Sequence, residues 1–262
     1  MVLLLSACGG PSGHSTTGPL RIAAASDLAF ALPELIALYQ QSHPGAVTTT
    51  LGSSGLLTRQ IAQGAPYDVF FSANMAFIDD LVSDGHGLAA SQALYGRGRI
   101  VLWSRRGGVA APRSLEDLRD ARFRRIALAT PEHAPYGLAA KQALISAGLW
   151  EGLRPRLVYG ENIKQAMQMA ESGNAEVAII ALSLAIPGGH GDWSLIDERL
   201  HEALDQGLVI TTVSSRKDAA TAFVAAVTGP AGREILARYG FVLPGETLDP
   251  NLLEAAGGRV IR

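Results

Sequence analysis

The sequence has very little cysteine, few charged side chains and no long apolar run. Cys8 is the only cysteine among 262 residues, so no disulfide can form within the chain. Charged residues make up 18% of the sequence and the formal net charge is −2, which leaves no basic excess to hold a nucleic acid. Beyond the first few residues, no apolar run approaches the roughly 18 residues that span a bilayer. We therefore expect a globular chain with a large core and no nucleic-acid partner.

The first 19 residues differ in character from the rest. A short apolar run leads into Leu5-Ser6-Ala7-Cys8, which resembles the lipobox at which bacterial lipoprotein precursors are cleaved and acylated. Residues 9–19 are rich in Gly, Ser, Thr and Pro, a composition typical of a flexible tether. We therefore predict that residues 1–19 are a lipoprotein signal remnant and tether. Lipidated Cys8 would hold the protein in the periplasm or at the outer face of the cytoplasmic membrane.

The alternative for this segment is an apolar tail with a buried free cysteine. Its apolar stretch is shorter than the usual 7–15 residues of a signal peptide, and no basic residues precede it.

Past the tether, strand-like apolar runs alternate with amphipathic helical runs. Such alternation is typical of an α/β fold with largely parallel sheets. Between the first two runs, Leu32, Leu35, Ile36 and Tyr39 form the apolar stripe of a helix. The predicted strands are residues 20–25, 46–51, 69–73, 100–104, 125–129, 155–159, 176–182 and 208–213.

Two segments have the character of lobe boundaries. Residues 95–99 alternate glycine with basic residues just before a predicted strand, and residues 205–207 precede the last predicted strand. A chain that leaves one lobe near residue 98 and returns near residue 208 encloses a ligand cleft between two lobes. We therefore predict a first lobe of residues 20–98 plus 209–262 and a second lobe of residues 99–208.

Two serine motifs follow strands of the first lobe. Ser26 ends the run Ala23-Ala24-Ala25-Ser26, and Ser53 and Ser54 lie between Gly52 and Gly55. In open α/β sheets, ligands bind beyond the carboxyl ends of strands, where helix N-termini offer unpaired N–H groups to anions. These motifs therefore predict hydroxyl and amide donors for an oxyanion. The alternative is that the serines only cap their helices.

Two further strand-to-helix junctions lie in the second lobe. In residues 130–137, two prolines stiffen the loop that presents the backbone N–H groups of Tyr136 and Gly137. In residues 159–164, the amide of Ile163 opens another helix. Since none of the four junctions depends on a charged side chain, the predicted site holds a dianion by shape and neutral hydrogen bonds. His133 in the first of these loops is interpreted as a structural hydrogen-bonding residue.

At these junctions the chain resembles the periplasmic molybdate-binding proteins of ABC importers. The resemblance runs from about Leu20 to Phe241. Its motifs, in order, are Ala-Ala-Ala-Ser at 23–26, Gly-Ser-Ser-Gly at 52–55, residues 59–61 with 64–70, residues 131–137, Glu-Asn-Ile at 161–163, and residues 229–231 through 238–241.

The resemblance implies a two-lobed periplasmic-binding-protein fold of type II. It implies a receptor, rather than an enzyme, that captures molybdate and also tungstate without a cofactor and without direct metal ligation by side chains. The implied partners are the permease and ATPase subunits of an importer, with the receptor itself a monomer.

The resemblance also implies the site residues. The donors it implies are Ser26, Ser54, Tyr136 and Ile163, the last two through their backbone amides. Family members often have a tyrosine donor near position 181, where this chain has Ala181, so Ser183 or a water would replace it. Ser53 is a further candidate donor.

Other functions stay open. A receptor of the same fold for sulfate or phosphate is one, because Asp27 could accept the proton that phosphate carries. A serine hydrolase using Ser54, His133 and Asp68 is another, although the Gly-x-Ser-x-Gly elbow is missing. A surface lipoprotein without a ligand is a third. Residues 187–193 contain one His and one Asp, too few for a metal site, and are predicted to be a surface turn.

Overall fold

The computed structural model describes residues 18–187, 189–243, 245–257 and, for the backbone alone, 259–260. The predicted signal remnant and Cys8 lie outside the described residues. Eleven strands are described: β1 (Leu20–Ala25), β2 (Val47–Gly52), β3 (Val69–Ser72), β4 (Ala93–Gly98), β5 (Ile100–Arg105), β6 (Ile126–Ala129), β7 (Leu157–Gly160), β8 (Val177–Ala181), β9 (Gly191–Leu195), β10 (Leu204–Ile210) and β11 (Arg259–Val260).

Ten α-helices connect and cover these strands within the described ranges. They are α1 (Ala31–Gln40), α2 (Ser54–Ala62), α3 (Met75–Ser83), α4 (Pro135–Ser146), α5 (Trp150–Leu153), α6 (Ile163–Glu171), α7 (Leu182–Ala185), α8 (Lys217–Thr228), α9 (Pro230–Arg238) and α10 (Pro250–Ala255). Short 3₁₀ turns lie at Ser26–Leu28, Ala89–Ser91, Glu116–Arg119, Arg154–Arg156 and Glu198–Leu200.

The first sheet has the order β2-β1-β3-β10-β4. β1 pairs in parallel with β2 and β3, so the carboxyl ends of these strands meet at one edge. The β1 run Leu-Arg-Ile-Ala-Ala-Ala is buried at every residue except Arg21, as expected for a strand covered on both faces. Because its last residues are alanines, the chain can turn closely at Ser26.

The second sheet has the order β11-β9-β5-β8-β6-β7. Parallel pairing of β6 with β7 and β8 again gathers strand ends at one edge, from which α4, α6 and α7 begin. Its core centres on strand residues such as Trp103, Leu128 and Ile179, all fully buried. The predicted two-lobed α/β architecture is confirmed.

The strands differ most from the predicted ones at β4, β9 and β10, and the two-residue strand β11 was not predicted. β4 was missed because its glycine and arginine residues resemble a linker, yet Tyr95 points into the core at 2% exposure. β9 occupies part of the predicted surface turn at 187–193, where Trp193 is buried against the second lobe. β10 begins at Leu204 rather than 208.

Strand pairing also bears on the predicted lobe boundaries. β10 pairs with β3 and β4, which attaches residues 204–207 to the first sheet. β11 pairs with β9, and Leu253 of α10 packs in the core of the second sheet, so α10 and β11 belong with the second lobe rather than the first. The division of the chain into lobes remains a prediction, with these two segments reassigned.

Within the described residues, no helix combines the length and apolarity that a bilayer crossing requires.

Candidate functional site

A small cavity lies where the strand ends of the two sheets face each other. Ser26, Ser53 and Ser54 line it from the first lobe, and Tyr136 and Ile163 line it from the second. The structure therefore brings together the four predicted donors and the additional candidate Ser53. Ala181 and Ser183 are not among the residues that line the cavity.

The first-lobe serines do not cap their own helices. The turn that starts at Ser26 has no side-chain cap, and neither does α2, whose N-terminal cap position is Ser53. The first N–H groups of a helix have no acceptor within the helix. In α2 the Gly55 amide donates to the His133 carbonyl oxygen, and the Ser54 amide at the start of the helix can face an anion. Ser54 accepts a hydrogen bond from the Ala73 amide at 3.0 Å, which leaves its hydroxyl proton for a ligand.

The second lobe contributes two helix N-termini. α4 begins at Pro135, whose ring fixes the first turn, and it too lacks a side-chain cap at Ala134. α6 begins at Ile163, and Asn162 before it accepts a hydrogen bond from Gln165 N at 3.1 Å. The amides of Tyr136 and Ile163 thus lie at the openings of two helices that line one cavity.

Ser26 also connects the lobes directly. Its hydroxyl donates to Asn162 Oδ1 at 3.1 Å and accepts from the Lys164 amide at 3.4 Å. To donate to an anion, the hydroxyl must rotate away from Asn162. That rotation leaves Asn162 Oδ1 satisfied, because Gln165 N still donates to it.

A second connection between the lobes centres on His133. Its ring Nδ1 lies 2.8 Å from Ser53 Oγ, and its carbonyl oxygen accepts from the Gly55 amide at 3.0 Å. His133 therefore has the hydrogen-bonding role that the sequence indicated, and it acts between lobes.

Asp27 is the buried acid beside the cavity. Its Oδ2 accepts from the Tyr136 hydroxyl at 3.0 Å, and Gln206 Nε2 donates to the same hydroxyl at 2.7 Å. Tyr95 in turn donates to Gln206 Oε1 at 2.5 Å. Burial raises the pKa of Asp27 to about 6, against the opposing effect of the nearby Gln206 amide and of the hydrogen bond from Tyr136.

This hydrogen-bond network of four side chains was not predicted from the sequence. Its members are Asp27, Tyr136, Gln206 and Tyr95. Its directly hydrogen-bonded members are up to 111 positions apart. The one signal in the sequence was a glutamine, Gln206, in the segment that forms β10, where it is fully buried.

The two candidates near position 181 lie behind the cavity. Ala181 is buried in β8 opposite Ile100 of β5. The Ser183 hydroxyl donates to the backbone carbonyl of Asp27 at 2.9 Å, so it fixes the first turn of the opposite lobe. A direct contact from either side chain to a ligand stays a prediction.

Neutral donors dominate the site. Among the described residues that line the cavity, Asp27 is the only one with an ionisable acid or base, apart from the Tyr136 phenol. The nearby ammonium of Lys164 lies 4.2 Å from the centre of the Phe30 ring. Such a site can hold an anion by hydrogen bonds and helix dipoles.

The residues considered for a hydrolase are not assembled into a relay. His133 pairs with Ser53 instead of Ser54, whereas Asp68 accepts from the Arg21 amide at 2.8 Å and from Ser214 at 2.7 Å.

Comparison with known proteins places this geometry in context. Residues 20–242 match the family model described as bacterial extracellular solute-binding protein. The molybdate-binding protein ModA of Rhodobacter capsulatus is 32% identical over 231 residues, which cover 87% of this chain and 90% of that protein. YvgL of Bacillus subtilis, provisionally named an ABC transporter substrate-binding lipoprotein, is 29% identical over 248 residues. These residues cover 91% of this chain and 93% of that protein.

A solved structure shows the same architecture. The periplasmic molybdate-binding protein of Azotobacter vinelandii superposes with a TM-score of 0.81 at 32% identity, covering 86% of this chain and 99% of that one.

Proposed function

Because the chain belongs to the family of bacterial extracellular solute-binding proteins, we propose that it captures molybdate between its two lobes for an ABC importer. The observation that carries the proposal is the convergence of four strand-to-helix junctions on one cavity. Ser26 and Ser54 belong to one lobe, and Tyr136 and Ile163 to the other.

The donor set suits a fully deprotonated tetrahedral anion. Ser26 and Ser54 contribute hydroxyl and amide protons, and Tyr136 and Ile163 contribute backbone amides. Backbone amides offer no acceptor to an anion that carries its own proton, so in this site such an ion must find its acceptor at Asp27 or lose a hydrogen bond. Tungstate has the shape and charge of molybdate, and we propose that it binds in the same way.

The transport role follows from the family. We propose that the receptor works as a monomer outside the cytoplasmic membrane, without catalysis, and delivers the ion to permease and ATPase subunits. The lipobox-like sequence before Cys8 and the lipoprotein name of the Bacillus relative both support an anchor through Cys8.

Isothermal titration of the purified chain with molybdate, tungstate, sulfate and phosphate in turn tests this function. We expect molybdate and tungstate to bind tightly and the other two weakly. Tight binding of sulfate or phosphate instead would reassign the ligand. No detectable binding of any of the four anions would refute a role in oxyanion capture.

A further inference from the structure

A buried acid in a cavity for a dianion needs an explanation. Asp27 is fully buried, lines the same cavity as the donors of Ser26 and Ser54, and follows Ser26 directly in the chain. A carboxylate and a bound dianion would repel each other strongly there, because little water screens them.

Among the described residues, the groups that face Asp27 include no compensating cation. On α4 the facing group is the Tyr136 phenol, on β10 it is the Gln206 amide, and on β4 it is the Tyr95 phenol. α7 presents the Ser183 hydroxyl to the Asp27 carbonyl. Lys164, the charged residue at the start of α6, has its ammonium over the Phe30 ring.

The carboxyl group is also incompletely paired. Oδ2 accepts from Tyr136, whereas Oδ1 is buried with no hydrogen-bond partner among the described residues. An unpaired, buried carboxylate oxygen is costly, and protonation of the carboxyl group removes its charge.

On these grounds, and resting on the proposed function, we infer that Asp27 is a proton-binding residue of the anion site. Closure of the lobes on a dianion takes up one proton from the solvent onto the Asp27 carboxyl group, and opening returns it. Asp27 is then a neutral acid in the complex and a carboxylate in the open protein.

The direction of the pH dependence follows from linkage. In open protein, a solvated Asp27 has the usual pKa of about 3.9. In the closed site, burial raises the pKa to about 6, and the charge of a bound dianion raises it further. Affinity is therefore greatest below the lower value, falls as pH rises between the two values, and is level above the higher one.

Burial also raises the pKa of Tyr95 and Tyr136 well above the usual value, so neither phenol titrates in this window. His133, beside Ser53, is a further titratable side chain near the cavity.

Titration of molybdate between about pH 5.5 and pH 8.5, in buffers of different ionisation enthalpy, tests the inference on the wild-type chain. We expect the dissociation constant to rise about fourfold or more from pH 5.5 to pH 7.5, and most of one proton to be taken up per ion at pH 5.5. Asp27→Asn, which mimics the neutral acid, should give a flat profile without proton uptake and should bind more tightly than wild type above pH 7.5. Asp84→Asn, at the exposed end of α3, is the matched control and should follow wild type.

The outcomes separate the inference from the proposed function. Molybdate binding with no pH dependence and no proton uptake in the wild type would overturn the role of Asp27 and leave molybdate capture intact. Proton uptake that persists in Asp27→Asn would place the proton on another group, such as His133, and would also overturn it. Failure of the wild type to bind molybdate at any of these pH values would contradict the proposed function itself.

Discussion

The Gly55 amide donates to the carbonyl oxygen of His133 at 3.0 Å, and these two residues belong to opposite lobes. A Cβ at position 55 would lie 2.9 Å from that oxygen, closer than real Cβ contacts allow. Only glycine lets the start of α2 approach the loop before α4 this closely. The Gly-Ser-Ser-Gly motif therefore serves the contact between the lobes, in addition to the anion binding that we propose for it.

Gly55→Ala should weaken molybdate binding by about 1–3 kcal/mol, because the added methyl group holds the lobes apart. Isothermal titration measures this loss. Gly152→Ala in α5 is the control, since a Cβ there meets nothing within 4 Å, and it should bind as wild type does. Equal affinities for the two variants would show that this contact does not form in the complex.

Ser26→Ala and Ser54→Ala should each weaken binding by about 1–3 kcal/mol if their hydroxyls donate to the ion. Ser54→Ala should also lower the melting temperature of the ligand-free protein, because the buried Ala73 amide loses its acceptor. Titration and thermal unfolding of both variants check these effects. Wild-type affinity in both would remove the hydroxyls from the site.

Gly98→Ala should disrupt the hydrogen-bond network that runs from Tyr95 through Gln206 and Tyr136 to Asp27. A Cβ at position 98 would overlap the Tyr136 hydroxyl and Gln206 Nε2. Displacing the ring of Tyr136 also moves the backbone amide that faces the anion, so we expect weaker binding and a less stable closed state. Tyr136→Phe, which removes the hydroxyl and keeps the ring, should retain more affinity than Gly98→Ala. The reverse order would argue that the hydroxyl matters more than the placement of α4.

Ligand binding should contract the molecule. Each lobe supplies part of the donor set, so the full set forms only when the lobes meet. Small-angle X-ray scattering should show a smaller radius of gyration with saturating molybdate, and Gly55→Ala should show a smaller contraction. A profile that molybdate leaves unchanged would mean that the cavity is formed before the ion arrives.

The sequence was most informative about features that are determined by residues close together in the chain, such as strands and strand-to-helix turns. The apolar runs at 20–25, 69–73 and 100–104 became β1, β3 and β5, because strands buried on both faces need uninterrupted apolar residues. The serine and glycine motifs located the cavity because strand-to-helix turns have a local signature.

The features that the sequence could not reveal depend on contacts between residues that are far apart in the chain and meet only in the folded structure. β4 carries Gly96 and Gly98, which weaken a strand signal but make room for Phe241 and Tyr136 in the folded chain. The contact of Asp27 with Tyr136 joins residues 109 positions apart, and no local pattern marks it. In the same way, Ser183 was a candidate ligand by position, and its partner, the carbonyl of Asp27, is visible only in the fold.

We propose that a dianion lies between the lobes and is held there by neutral donors. Anomalous X-ray scattering from a crystal of the molybdate complex would locate the ion. We expect one molybdenum peak in the cavity, with its oxygens about 2.7–3.2 Å from the hydroxyls of Ser26 and Ser54 and from the amides of Tyr136 and Ile163. A peak outside the cavity, or a molybdenum atom ligated directly by a side chain such as Asp27, would contradict it.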